Sequence, residues 1–126
     1  MINVSSRVRI NRSAVKCLAR AQITALEQTA DALQTEVKLS QVMPFDTGNL
    51  QNESTFVDYT QSNQGKCTLV STTSYARRLY FHPEYNFRTT NNAHAQAHWY
   101  DDWIDGSKKD FCRNTYAKLY KRLTGV

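Results

Sequence analysis

Polar and apolar positions change rhythm several times along the chain. Ile2, Val4, Val8 and Ile10 alternate with polar residues, Ser6 being the gap in the apolar set, which is the period of an extended segment with one apolar face. Residues 1–12 are therefore predicted as an N-terminal strand or arm. From Ser13 to Gln41 the period lengthens. Leu26, Ala30, Leu33 and Val37 recur at steps of four, three and four, with Ala14, Leu18 and Ala21 carrying the stripe upstream. That spacing predicts a long amphipathic helix, with Ser13 as candidate N-cap and Pro44 as the stop. "TFVDYT" and "KCTLVST", rich in β-branched and aromatic residues and separated by "QSNQG", predict a β-hairpin. "SYARRLYF" suits one or two helical turns, and the polar, aperiodic residues 82–98 predict a projecting loop. Phe111, Thr115, Leu119 and Leu123 then fall at intervals of four, widened by Cys112 and Tyr116, and predict a C-terminal helix. Ser107 with Asp110 approximates a capping box for it, and Gly125 follows as the stop. The expected fold is α+β: a long N-terminal helix, a small antiparallel sheet with a hairpin, and a C-terminal helix, in a single domain over residues 1–126.

Composition narrows the class. With 21% charged and 40% hydrophobic residues among 126, the chain has the make-up of a globular domain. No apolar run approaches the roughly 20 residues of a membrane span, and "MINVSSRVRIN" has no apolar centre of the kind a secretory signal needs, so the protein is expected to work without crossing a membrane. Cys17, Cys67 and Cys112 are odd in number, far apart and without a C-x-x-C pair, which favours packed, reduced thiols over a disulfide framework or a zinc site. The net charge of +5 is uneven. Arg7, Arg9, Arg12, Lys16 and Arg20 stand in the first twenty residues without an acid, and Arg113, Lys118, Lys121 and Arg122 do the same at the other end. Such ends suit an acidic protein surface, nucleic acid, or solvent.

Three constellations invite a chemical reading. Asp46-Thr47-Gly48 is the tripeptide of retroviral-type aspartic proteases, but there the Asp follows an apolar strand and is supported by small apolar residues. Here it follows a helix and precedes "NLQNES". The preferred reading is a structural turn, with Pro44 ending the helix, Asp46 and Gly48 forming the turn, and Phe45 and Leu50 as apolar anchors. His94 and His98 would share a helical face, yet no Glu lies between them and no third ligand stands at a diagnostic spacing, so no metal or other cofactor is expected. The third constellation interleaves Arg77 and Arg78 with Tyr80, Phe81, Tyr85 and Phe87. Arg and Tyr together are the side chains most enriched at interface hot spots and can also stack on bases. Trp99 and Trp103 divide evenly between core packing and interface, so the candidate subunit interface is Arg77, Arg78, Tyr80, Phe81, Tyr85, Phe87, Trp99 and Trp103.

Taken in order, the stretches Pro44 to Ser54, Tyr75 to Phe87 and Trp99 to Phe111, followed by a basic terminal helix, resemble the minor capsid proteins of tailed bacteriophages. The resemblance spans roughly residues 13 to 124. It implies a non-enzymatic α+β virion protein of the head-to-tail connector, a neck or tail-completion component assembled in the host cytoplasm. It also implies a homo-oligomeric ring, hexamer or dodecamer, in contact with head-closure and tail proteins, through which DNA passes without sequence-specific binding. A cationic lumen would add friction to sliding DNA, so the basic termini are expected to face a neighbouring ring or the outside. The alternative reading is a nucleic-acid-binding module.

Overall fold

The computed structural model describes residues 2–44, 49–87, 89 and 92–125. Its elements follow the expected α+β order. Helix α1 spans Arg12–Leu39, a single wide turn follows at Asn49–Glu53, and strands β1 (Thr55–Asp58) and β2 (Thr68–Ser71) form an antiparallel hairpin around a short turn at Ser62–Gln64. Short helices α2 (Ala76–Tyr80) and α3 (Asp101–Ile104) flank the long loop, and α4 (Phe111–Thr124) closes the chain.

Helix α1 starts earlier than its sequence signature. Asn11, not Ser13, caps it: the Asn11 side-chain oxygen accepts the Ala14 N–H at 3.1 Å and satisfies a donor that the helix cannot. The end also differs from expectation. Gln41 adopts a left-handed φ of 56° and closes the helix at Leu39, before Pro44 is reached. At α4 the expected capping box is replaced by Asp110 at the N-cap without a side-chain bond, Ser107 lying a turn upstream, whereas Gly125 does provide the left-handed stop at φ 70°. Pro44 is half-buried and Leu50 is buried, as apolar anchoring requires; Phe45, Asp46 and Gly48 lie outside the described residues.

The core sits at the C-terminal end of α1. Val37, Val42, Met43, Leu50, Ala76, Trp99 and Trp103 are mutually packed, and Leu33, Leu69, Leu79, Tyr80, Tyr100 and Phe111 close around them. Helix α4 runs back along α1, with Phe111 against this core and Tyr116 facing Gln22, Ile23 and Leu26 further up the helix. Small side chains permit the close approach of α4 and the hairpin to α1: Ala21, Ala25 and Thr29, one turn apart, are all buried. Upstream of Ala21 the cover ends. Every residue from 2 to 20 is exposed, so the Ala14 and Leu18 part of the predicted stripe lies in solvent, as does Cys17. That exposure corrects the expectation of a packed thiol. Cys67 and Cys112 are half-buried instead, and burial raises both thiol pKa values. The arm, residues 2–11, forms neither helix nor paired strand.

The hairpin is tied to α1 by polar contacts. Gln34 donates its side-chain amide to the Thr55 carbonyl at 2.9 Å, and the Tyr59 hydroxyl donates to Asp31. The Asp31 bond, then burial and the Asp31 and Glu27 charges, push the Tyr59 pKa up to about 12. A pKa raised on folding stabilises the fold fully below the unfolded value of about 10 and loses that contribution as pH rises through the folded value. Denaturant unfolding is therefore expected to show stability lost between pH 10 and about 12, a loss that Tyr59→Phe reduces and that Tyr80, whose pKa is also raised, continues to contribute to.

Candidate functional site

The surface built by α2 and the segment after it gathers most of the arginines and aromatics singled out in the sequence. Ala76 is buried against the core and seats α2. With Ala76 inward, Arg77 and Arg78 turn outward and are exposed, while Tyr80 lies half-buried at the edge of the core. Phe81 protrudes, 57% exposed. Tyr80 is the hub. Its ring meets Trp99 edge-on at 4.8 Å and Phe81 at 5.1 Å, and approaches His98 at 5.0 Å. Its hydroxyl donates to Asp101 at 2.8 Å; burial first, and then this bond, push the Tyr80 pKa strongly upward, so the phenol stays protonated.

Beyond α2, the His82 and Tyr85 rings stack at 4.7 Å, and Arg78 Nε donates to the Tyr85 hydroxyl at 3.1 Å with its guanidinium 5.8 Å over the ring. His82 Nδ1 lies 2.6 Å from Glu84, which holds the Glu84 carboxyl below its usual pKa. Phe87 continues the row at 6.5 Å from Tyr85. These contacts hold Arg78 and Tyr85 in place while leaving Arg77 and Phe81 outward, an arrangement that lowers the entropy lost when a partner is bound.

Six of the eight predicted interface residues are thus brought to one surface. The two tryptophans are not. Trp99 is 1% exposed and Trp103 8%, both inside the core, so neither offers surface to another subunit, and the interface assignment for them is corrected to core packing. Indoles of that area are worth more buried under α1 than left at a rim. Lys108 covers Trp103, its ammonium 4.6 Å from the ring, while bonding Ser40 Oγ at 3.0 Å and lying 3.7 Å from Glu36.

The projecting-loop expectation also needs correction in its second half. Asn92 is buried and donates its side-chain amide to the Met43 carbonyl and to Gln51 Oε1, both at 2.8 Å. The His94 N–H donates to the Gln41 carbonyl at 3.1 Å and the Gln96 N–H to the Val42 carbonyl at 2.9 Å, so residues 92–96 lie along the chain that leaves α1, and the His98 N–H donates to the Tyr80 carbonyl at 3.0 Å. Among the described residues of the loop, 82–87 stand at the surface with their own ring contacts. Asn92 carried no sequence signal, since one Asn among several in a polar run announces nothing about burial.

The side chains that face outward here, the Arg77 guanidinium and the Phe81 ring, are of kinds suited to recognition. Among the described residues no group of three His, Cys, Asp or Glu could hold a metal ion. His94 and His98 are not on a helix, and His98 has a left-handed φ of 50° with its Nδ1 3.5 Å from Asp101. The depression between Tyr80, Phe81, Trp99 and Arg77 has a volume near 210 Å³. That volume suits a single inserted side chain, while the adjoining depression lined by Ser74, Arg77, Arg78, Phe81 and His82, near 410 Å³, falls within the roughly 300–1,000 Å³ of small-molecule sites.

A second surface emerges only from the packing of α4 on α1. Because α4 returns along α1, its last turns bring Lys118, Lys121 and Arg122 toward the end of α1 that bears Arg12, Lys16 and Arg20, with Arg7 and Arg9 on the arm. Residues 1–26 and 111–126 together hold nine of the sixteen cations and none of the eleven acids. The remainder of the chain is net acidic. The chain matches no known protein family, no characterised protein and no solved structure.

Proposed function

We propose that this chain is a structural, non-enzymatic component of a tailed-phage head-to-tail connector, assembling head-to-tail into a ring through which DNA passes. The observation that carries this reading is the separation of charge between the basic helical pole and the acidic remainder. A closed ring made by rotation needs two different, complementary patches on each subunit, and a cationic pole beside an anionic body supplies them. The Arg77, Phe81 and Tyr85 surface adds an anchoring set of the kind that dominates binding energy. The resemblance to minor capsid proteins supports the same role, with head-closure and tail proteins as neighbours and the virion neck as its location.

Electron microscopy of the purified protein tests this reading: rings of six or twelve subunits are expected, and their labelled counterparts at the neck of virions. Particles with no cyclic symmetry would overturn it. The same pole favours one second reading, binding to duplex nucleic acid. That reading requires affinity for duplex that falls steeply with salt, with a slope of about −0.9 per phosphate contact in a log–log plot; the connector reading expects no such binding by the assembled ring.

A further inference from the structure

The arm before α1 has the alternation of a strand and no strand to pair with. Ile2, Val4, Val8 and Ile10 line one face and are 91%, 89%, 86% and 73% exposed, with Arg7 and Arg9 on the other face. No hydrogen bond or ion pair joins residues 2–10 to the rest of the described chain. Four large aliphatic side chains in water form a surface that association would bury.

The hairpin offers the complement. The Thr72 N–H donates to the Ser54 carbonyl at 2.9 Å, and the register pairs Phe56 with Val70 and Asp58 with Thr68. By the alternation of an antiparallel ladder, the backbone groups of Leu69 and Ser71 then point away from β1. Among the described residues they make no backbone bond. On the opposite edge the Thr55 carbonyl is already occupied by Gln34. The β2 edge is the open one, and a two-stranded sheet gains stability from a third strand. Charge matches too. Burial first, and then the charges of Glu27, Asp31 and Asp58, raise the thiol pKa of Cys67, the residue before β2, so these acids stand near where the arm would bring Arg7 and Arg9.

The arm cannot serve its own sheet well. The hairpin meets α1 at Asp31, through Tyr59, and at Gln34, through Thr55, about 28–33 Å along the axis from Arg12 at 1.5 Å per residue. A reversed arm of nine residues spans about 30 Å, so only its first few residues would reach the strands, leaving Val8 and Ile10 unused. Asn11 is extended, at φ −79° and ψ 97°, and no glycine or proline precedes it to reverse the chain.

From this geometry we infer that residues 2–10 add as a third strand to the β2 edge of a second copy of this chain. The inference rests on the self-assembly in the reading above and not on its virion role.

Removal of residues 2–10 and, separately, Val8→Pro test it, because proline removes a ladder donor without touching the folded body. Sedimentation of each variant is expected to show association weakened by at least about tenfold, with the far-ultraviolet spectrum of the helices retained. In a background with Cys17, Cys67 and Cys112 replaced by Ser, chains carrying Val8→Cys are mixed with chains carrying Thr68→Cys; an oxidised cross-link at dimer mass is expected. Unchanged association of the shortened chain overturns the inference. So does a chain carrying both cysteines that cross-links only within itself. Rings of normal size formed by the shortened chain would sink the arm exchange and leave the connector reading standing; arm-linked dimers that never close into rings would do the reverse.

Discussion

Replacing Trp99 with Ala is expected to lower the stability of the monomer by about 3–5 kcal/mol. Trp99 is among the largest fully buried side chains, packed with Val37, Met43 and Ala76 at the one place where α1, the hairpin, α2 and the returning loop converge. Truncation removes an aromatic contact with Tyr80 at 4.8 Å and another with Tyr100 at 6.0 Å, and leaves a void that elements from four directions cannot all close. A small domain has a total stability of about 5–15 kcal/mol, so the variant should lose much of its margin. Calorimetry is expected to register a drop in Tm of roughly 10–20 °C. Phe81→Ala is the informative contrast. Phe81 protrudes into solvent beside Tyr80, so its truncation should move monomer stability by no more than about 0.5 kcal/mol while weakening association. If Trp99→Ala weakened association and spared the monomer, the core assignment would fail.

Reversing the charge of the helical pole should act in the opposite way. The triple variant Lys16→Glu, Arg20→Glu, Lys121→Glu changes three exposed side chains that lie where α4 returns toward the start of α1. Monomer stability should stay within about 0.5 kcal/mol per site. Assembly should be lost, because each reversed charge would meet the acidic remainder of a neighbouring subunit, and like-charge juxtaposition across an interface costs several kcal/mol. The unaltered protein should also assemble less readily as salt rises, since exposed charges are screened over about 8–10 Å at ionic strengths of 0.10–0.15 M. Mass photometry across a salt series would read both effects. Assembly of the reversed variant into normal rings, insensitive to salt, would remove the pole from the interface.

Phe81 and the arm illustrate how far local pattern reaches. The amphipathic period of α1, the hairpin around "QSNQG" and the α4 stripe ending at Gly125 were legible because each depends on side chains close in sequence. Helix boundaries were less so, since Asn11 and Gln41 settle them by backbone conformation and a single bond. The tryptophans divided evenly between core and surface because an aromatic residue in a polar neighbourhood serves either use equally well. Asn92 was invisible for a related reason: what makes it structural is the Met43 carbonyl, far away in sequence, waiting for a donor.

The sequence by itself determined the α+β class, the order of elements, the presence of a strand-patterned arm and two basic ends without acids. Only the tertiary structure decided that Trp99 and Trp103 belong inside, that residues 92–96 fold back onto the chain leaving α1, and that Arg77, Arg78, Phe81 and Tyr85 share a surface. It also joined the two basic ends into one pole, because small buried residues at Ala21 and Ala25 let α4 return closely along α1. Periodicity reports which face of an element is apolar, whereas which faces meet depends on close packing between segments distant in the chain.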